Sequence, residues 1–147
     1  MQTWHLRREL WLPRPRTEVF PFFADAGNLD ELTPPWLHFR ILTPQPIVMR
    51  AGAKIAYQIR IHGVPVRWHT EITAWEPMNR FVDEQQGGPY RLWVHEHTFE
   101  DRDGGTLCRD HVEYAPVGGA LVNRFFVTRD LERVFEYRST RLRARFG

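Results

Sequence analysis

The sequence predicts an α+β domain in which a curved antiparallel sheet packs against one long C-terminal helix. Apolar residues recur at every second position over most of the region from Lys54 to Tyr114, as they do in strands with one buried face. From Ala120 to Phe146 they recur with a helical period instead. An antiparallel sheet that must cover one amphipathic helix gives the α+β class, with the helix in a layer of its own.

The composition is that of a folded globular chain. The 147 residues fit one domain spanning residues 1–147, and hydrophobic and charged residues make up 42% and 26% of the chain. These values exclude a disordered tail and a fibrous repeat. The aromatic fraction of 14% is high, so the core is expected to be bulky or to surround a ligand.

Charge and cysteine content exclude further kinds of protein. The 20 basic and 18 acidic residues leave a net charge of +2, so no nucleic-acid partner is expected. The single cysteine, Cys108, cannot form an internal disulfide. No apolar run approaches the ~18 residues of a membrane span, and no signal-like segment opens the chain, so we expect a cytoplasmic protein without stable membrane insertion. The sequence does not indicate an oligomeric state.

The first predicted elements are a strand and two short helices. Residues Trp4 to Leu12 alternate between apolar and polar side chains, which predicts a half-buried strand. Thr17 is expected to cap a short helix that carries Pro21 in its first turn. A second short helix is expected from Asp25 to Leu32. Six further strands and the long helix complete the predicted order.

A tight hairpin is predicted within residues 54–74. Gly63, as the first central residue of a two-residue turn with Val64, suits a type II′ turn. In this register Ile59 lies opposite Trp68, and the apolar faces of the two strands coincide.

A second hairpin is predicted within residues 90–114, after a strand from Phe81 to Gln85. Asp103-Gly104 is a strong signal for a type I′ turn. The adjoining Gly105 permits a bulge, and a slip by one residue would bring His111 to the shared face instead. The first register is preferred because it unites the aromatic residues of both strands. It pairs Phe99 with Cys108, His97 with Asp110, His95 with Val112 and Trp93 with Tyr114.

The last segment predicts one unbroken helix of about seven turns from Ala120 to Phe146. Gly118 and Gly119 end the strand pattern before it. Its inward stripe comprises Val127, Leu131, Val134, Phe135, Arg138 and Leu142.

Five segments of the chain carry a family resemblance. They are NLDELTPPW at residues 28–36, RFVDEQ at 80–85 with GPY at 88–90, WVHEHTF at 93–99, DHVEY at 110–114 and FEYR at 135–138. In these segments the sequence resembles the START-like helix-grip superfamily (SRPBCC), and within it a widespread bacterial group of single-domain proteins. That superfamily includes the birch-pollen-allergen fold, aromatase/cyclase domains of polyketide synthesis and coenzyme-Q-binding proteins.

The resemblance implies a helix-grip fold. In such a fold a seven-stranded antiparallel sheet curves around the C-terminal helix, and the two enclose a deep cavity. The resemblance does not imply one reaction, because this fold hosts carriers, sensors and enzymes.

The candidate site centres on His95 and His97. Residues two apart on a strand project to the same face about 7 Å apart. In a cavity the two imidazoles could orient a ligand carbonyl or hydroxyl, or act as acid and base near neutral pH. The competing interpretation is a buried network in which Asp110 accepts a hydrogen bond from His97, and Asp83 accepts one from a neighbour.

Metal binding and an ion pair are the other chemical possibilities. An H-x-H pair on one strand suits zinc, but zinc needs three or four ligands and a third is not evident, so we expect no metal and no cofactor. Arg138 lies on the inward stripe, where a buried guanidinium needs an anion. We favour an internal salt bridge with Asp83 or Asp110 over an anionic ligand.

The sequence favours a protein that binds a hydrophobic small molecule, such as a lipid, an isoprenoid or a polyketide-like aromatic. One alternative is a cyclase/dehydratase-type enzyme with His95 or His97 as general acid/base. Another is a sealed core that serves only contacts with other proteins, which a cavity below ~300 Å³ would favour. The candidate ligand-binding residues are Tyr57, Ile59, Trp68, Thr70, Ile72, Asp83, Trp93, His95, His97, Phe99, Asp110, Tyr114, Leu131, Phe135 and Arg138.

Overall fold

The computed structural model describes residues 1–147 and contains seven strands. The strands are β1 Trp4–Leu12, β2 Arg40–Ile41, β3 Lys54–Ile61, β4 Val64–Glu76, β5 Arg80–Gly87, β6 Tyr90–Arg102 and β7 Gly105–Pro116. The α-helices are α1 Arg16–Phe23, α2 Leu29–Leu32, α3 Gly119–Val122 and α4 Thr128–Phe146. Two 3₁₀ turns, Ala26–Asn28 and Pro35–Leu37, and a π-helical segment, Asn123–Val127, lie between them.

All seven strands form one antiparallel sheet in the order β1-β7-β6-β5-β4-β3-β2. The first strand thus pairs with the last, and the sheet curls into an open half-barrel. The long C-terminal helix packs on it in a separate layer, which confirms the predicted α+β helix-grip fold.

The register of the β3–β4 hairpin differs from the prediction. The two-residue turn is His62-Gly63, with φ angles of 49° and 81°, and it joins Ile61 directly to Val64. Tyr57 therefore lies opposite Trp68, two positions from the predicted pairing. Two successive positive φ angles make a type I′ turn, whose twist matches that of the strands, and His62 takes the left-handed conformation that we had assigned to glycine alone. Because the shift is by two residues, each side chain keeps its predicted face.

The β6–β7 hairpin has the predicted register. Asp103 and Gly104 have φ angles of 49° and 77°, as a type I′ turn requires. The four predicted pairs, from Phe99 with Cys108 to Trp93 with Tyr114, are all present. The alternative slip at Gly105 does not occur.

The start of α1 differs from the prediction. The carbonyl of Pro15 accepts the first helical hydrogen bonds, so Thr17 lies inside the helix and caps nothing. Pro15 has extended backbone (φ −68°, ψ 157°), which sets the entry angle in place of a side-chain cap. Pro21 is past the first turn of α1, near its end. The predicted second helix, residues 25–32, divides into a 3₁₀ turn capped by the Asp25 side chain, followed by α2.

The C-terminal helix is continuous over 28 residues, 119–146, as predicted. Its first part includes the π-helical segment, where buried Asn123 accepts a hydrogen bond of 2.9 Å from the Tyr114 hydroxyl. This bond links the π-helical segment to β7. Both groups are buried, and a buried amide or hydroxyl requires a hydrogen-bond partner.

No helix of the chain has both the length and the apolar character that crossing a membrane requires.

The C-terminal helix packs through two hydrophobic clusters, which contact successive parts of its length. The first cluster comprises Leu12, Val19, Phe20, Phe22, Leu32, Phe81, Phe99, Cys108, Leu142 and Phe146. The second comprises Ile59, Trp68, Trp93, Val112, Tyr114, Leu131 and Phe135.

Candidate functional site

A cavity of about 520 Å³ lies between the sheet and the C-terminal helix. This volume is within the range of about 300–1,000 Å³ typical of small-molecule sites. Of its 33 lining residues 21 are hydrophobic, so an occupant must be largely apolar. The size and lining of this cavity therefore argue against the sealed-core alternative, which a cavity below ~300 Å³ would have favoured.

Aromatic rings form one wall of this cavity. The Tyr57 ring stacks on Trp68 with centroids 5.8 Å apart, and Trp93 meets Trp68 edge-on at 5.2 Å. Tyr90 packs against Trp93 at 4.9 Å. Such interlocked rings have few alternative rotamers, so the wall is a rigid surface for a flat or chain-like apolar molecule.

A group of ionisable side chains, which we call the polar cluster, continues from this wall, with the His95 ring 6.4 Å from that of Trp93. It consists of Asp83 on β5, His95 and His97 on β6, Asp110 on β7 and Arg138 on the C-terminal helix. His95 Nε2 is 2.7 Å from Asp110 Oδ1, and His97 Nε2 is 2.6 Å from Asp83 Oδ2. The two imidazole rings stack with centroids 3.7 Å apart.

These hydrogen bonds run diagonally across the sheet. The backbone register places His97 opposite Asp110 and His95 opposite Asp83, but each imidazole bonds the other carboxylate. The expectation that Asp110 accepts from His97 is therefore wrong, since the closest approach of those two side chains is 3.5 Å. The His97 ring stacks between the ring of His95, with centroids 3.7 Å apart, and that of Phe81, at 4.0 Å, and its Nε2 is directed at Asp83.

Arg138 completes the polar cluster from the helix side. Its Nη2 lies 3.4 Å from Asp110 Oδ1 and 3.3 Å from His97 Nδ1, to which it donates. Its guanidinium carbon is 5.2 Å from the Phe23 ring centroid. Of the two proposed partners for the salt bridge, the structure pairs Arg138 with Asp110.

The surroundings fix the charge of these groups. Burial alone raises the pKa of Asp110, but Arg138 and the bond from His95 outweigh it and hold that pKa well below its usual range. Burial also raises the pKa of Asp83, but the bond from His97 and the electrostatic effect of His95, His97 and Arg138 together outweigh it, so that pKa too is lowered. Burial lowers the pKa of His97 to about 4, and His95 acts in the same direction. At neutral pH both carboxylates are ionised and His97 is neutral.

Among the four imidazole nitrogens of the polar cluster, one has no hydrogen-bond partner. His97 is saturated, because Nε2–H donates to Asp83 and Nδ1 accepts from Arg138. His95 uses Nε2 toward Asp110, whereas its Nδ1 is 3.9 Å from the nearest carboxylate oxygen, Asp83 Oδ2. At that distance no hydrogen bond forms, so His95 Nδ1 is available to a ligand.

Twelve of the fifteen candidate residues line the cavity, and three do not. Phe99 packs on Phe20 in the first hydrophobic cluster, and Tyr114 turns its hydroxyl to Asn123. Asp110 does not line the cavity itself but contacts two residues that do, His95 and Arg138. Those lining the cavity are Tyr57, Ile59, Trp68, Thr70, Ile72, Asp83, Trp93, His95, His97, Leu131, Phe135 and Arg138.

Sequence reasoning missed the lining residues from the segment between β1 and β2. Phe23, Leu32, Trp36 and Phe39 come from the short helices and loops that cover the cavity. The density of aromatic residues between 20 and 39 is the one signal that could have indicated them. Tyr90, at the start of β6, was also missed, because the predicted face began at Trp93.

Side chains from three elements surround the exposed end of the cavity, its mouth. His62 in the β3–β4 turn lies 2.8 Å from Asp130 on the helix, measured between Nε2 and Oδ2. The Arg133 guanidinium lies over the Trp36 ring, 4.7 Å from its centroid. Both contacts join side chains that belong to different walls of the cavity.

Comparison with solved structures places the fold among known proteins. Protein CV1439 from Chromobacterium violaceum superimposes with a TM-score of 0.75 at 15% identity, covering 97% of this chain and 96% of that one. Major latex-like protein 151 from Panax ginseng superimposes with a TM-score of 0.73 at 12% identity, covering 100% of this chain and 99% of that one. The nucleoside-diphosphate sugar epimerase from Corynebacterium glutamicum superimposes with a TM-score of 0.68 at 25% identity, covering 93% of this chain but only 28% of that one.

The comparison of the sequence itself gives the family. A search of curated proteins finds no match. The family model for polyketide cyclase / dehydrase and lipid transport matches residues 12–143, which is most of the chain. With this match, the helix-grip fold and the enclosed cavity, the chain belongs to the polyketide cyclase / dehydrase and lipid transport family.

Proposed function

We propose that this protein binds a hydrophobic small molecule, such as a lipid, an isoprenoid or a polyketide-like aromatic, between its sheet and its C-terminal helix. The observation that carries the proposal is the apolar cavity of about 520 Å³ with polar groups at one end. We propose further that the protein acts in the cytoplasm, without stable insertion into a membrane.

The lining indicates how such a ligand would be held. The aromatic wall of Tyr57, Trp68 and Trp93 offers apolar contact, and most polar atoms of the polar cluster already have partners within the protein. Binding would therefore depend mainly on burial of apolar surface, supplemented by a single polar contact at His95 Nδ1. This pattern suits uniform binding of a carried molecule better than a reaction.

An enzyme of cyclase/dehydratase type is the second candidate, and one observation favours it. Asp110 orients His95 through Nε2 and leaves Nδ1 free, which is the arrangement of a general base with its orienting carboxylate. His97 does not share this property, because both of its nitrogens are engaged. Of the two histidines considered, only His95 thus remains a candidate acid/base.

The binding proposal is tested by measuring ligands directly. Native mass spectrometry of gently purified protein should show a co-purified molecule. In titrations with saturated fatty acids of increasing length, affinity should rise about fourfold per methylene until the cavity is full, since each buried methylene contributes about 0.8 kcal/mol. Affinity that does not change with chain length would contradict binding in this cavity.

Tryptophan fluorescence locates the ligand. Trp68 and Trp93 line the cavity, whereas Trp75 packs outside it between Phe20 and Phe81. We expect Trp68→Phe and Trp93→Phe to reduce the ligand-induced change in fluorescence, and Trp75→Phe to leave it intact. If both cavity variants keep the full signal, the ligand binds elsewhere.

Substitution of His95 separates the two candidates. For a carrier, His95→Gln should weaken binding by no more than about tenfold, because one net hydrogen bond is worth about 0.5–1.5 kcal/mol. For an enzyme, conversion of the bound compound should fall by ~10²–10⁴ while binding persists. The carrier proposal fails if the wild type converts the compound and a folded His95→Gln protein binds it without converting it.

A further inference from the structure

Three atoms of the polar cluster come together at the polar end of the cavity. Asp83 Oδ2, His95 Nδ1 and His97 Nε2 all lie within 4.8 Å of one another. We propose that these three side chains bind a divalent transition-metal ion, with Zn²⁺ as the reference ion. Two imidazoles and one carboxylate are ligands that zinc and iron(II) accept in proteins.

The distances suit such an ion after small side-chain rotations. Zinc bonds of about 2.0–2.2 Å place neighbouring ligand atoms ~3.3 Å apart. The distance from Asp83 Oδ2 to His97 Nε2 is 2.6 Å and that to His95 Nδ1 is 3.9 Å, so the two distances bracket this value. The ion would replace the hydrogen between Asp83 and His97 and draw in the free nitrogen of His95.

The far side of both imidazoles faces a carboxylate. Asp110 Oδ1 lies 2.7 Å from His95 Nε2 and 3.5 Å from His97 Nδ1, the two nitrogens that would not touch the ion. Histidines that bind metals nearly always donate their other N–H to such a group, which fixes the ring and strengthens the ligand. In the bound state His97 would carry its proton on Nδ1, so Arg138 Nη2, which donates to that nitrogen at 3.3 Å, would have to move aside for the N–H to reach Asp110.

Charge provides an independent argument. The polar cluster holds two carboxylates and one guanidinium, and its side chains are largely buried. The single guanidinium cannot balance both carboxylates, and uncompensated charge away from water is costly. A divalent cation bound by Asp83 would supply positive charge to the carboxylate with which Arg138 does not pair.

The proposed site would leave a coordination position for another molecule. Three protein ligands are typical of zinc sites that keep one position open, whereas structural sites use four. Because Asp83, His95 and His97 line the cavity, that position would face the bound molecule. The sequence did not indicate the third ligand because Asp83 lies on the neighbouring strand, where only the β5–β6 register brings it opposite His95.

Metal titration tests the proposal without any organic ligand, so its result is separate from that of the cavity proposal. Protein treated with a chelator should bind one equivalent of Zn²⁺, measured by competition with a chromophoric chelator. Co²⁺ should give a visible absorption band at the same stoichiometry. Asp83→Asn, His95→Gln and His97→Gln should each weaken Zn²⁺ binding by about tenfold or more, and Asp110→Asn by about 10–100-fold.

A surface pair of histidines provides the matched control. His5 Nδ1 lies 2.9 Å from His111 Nε2 on the exposed face of the sheet, with Glu113 nearby. The double variant His5→Gln/His111→Gln should leave Zn²⁺ affinity unchanged. If this variant loses binding and the polar-cluster variants keep it, the proposal is wrong.

A measurement on the wild type keeps the test decisive if polar-cluster variants do not fold. In NMR spectra, one equivalent of paramagnetic Co²⁺ should broaden the imidazole signals of His95 and His97 and spare those of His5 and His111. Broadening of the surface pair alone would overturn the proposal. Absence of stoichiometric binding at micromolar Zn²⁺ would also overturn it.

Discussion

Replacing Arg138 with methionine should destabilise the protein far more than the same change one turn away. The variant Arg138→Met keeps an unbranched apolar stem beside Phe23 but removes the contacts of Nη2 with Asp110 and His97. The side chains of Arg138 and Asp110 are 11% and 15% exposed, so in the variant water can hydrate the unpaired Asp110 carboxylate only slightly. Breaking a buried ion pair from one side costs about 3–5 kcal/mol. Since both contacts are long, at 3.3 and 3.4 Å, we expect the low end, about 3 kcal/mol.

Arg141→Met is the matched control for this measurement. Arg141 lies on the same helix and its Nη2 is also 3.4 Å from a carboxylate, that of Glu31, but its side chain is 44% exposed. Exposed pairs contribute about 0–1 kcal/mol, so this variant should remain close to the wild type. Urea unfolding of metal-free proteins gives both free energies of unfolding. If the free energies of unfolding of the two variants lie within about 0.5 kcal/mol of each other, burial does not govern how much the Arg138–Asp110 pair contributes to stability.

Three further outcomes are expected. Val134→Trp adds an indole at the cavity wall, so uptake of a fluorescent fatty acid should fall about tenfold while the fold is retained. Burial raises the pKa of Cys108 to about 12, so the thiol should resist alkylation until the protein unfolds. Because only the unfolded thiol ionises near pH 9, stability should also decline as pH rises above that value. Gly105→Ala would bring a Cβ against the Leu12 carbonyl oxygen and cost about 1–3 kcal/mol by thermal unfolding, more than Gly87→Ala, whose Cβ meets only the His69 ring at 3.7 Å.

The fold was predictable where local chemistry and periodicity agreed. Asp103-Gly104 specified the β6–β7 turn, and the alternation along both strands then specified which residues pair. At the β3–β4 turn the sequence offered only one glycine, and the type II′ assignment failed because His62 adopts positive φ. A non-glycine residue in that conformation leaves little signal in a single sequence.

The sequence predicted which site residues share a strand face, but it did not predict their hydrogen-bond partners. Period-2 alternation correctly brought His95 and His97 to one face, yet ring stacking decided that each bonds the diagonal carboxylate. Phe99 shares that face, but the first short helix covers it, and strand periodicity carries no information about such covering. Trp36 and Phe39 lie in a region without regular periodicity, so their contribution could not be derived from pattern.

The contacts across the cavity mouth affect the rates at which a ligand would enter and leave the cavity. His62 with Asp130 and Arg133 with Trp36 bring side chains together, and no backbone hydrogen bond of the sheet has to break to separate them. Exposed contacts of this kind cost about 1 kcal/mol or less to open, and exposed side chains change rotamer within nanoseconds. Entry of a small apolar molecule would thus be limited by diffusion to the mouth, and its residence time by the aromatic wall inside. Differences in affinity among such molecules should appear mainly in their dissociation rates.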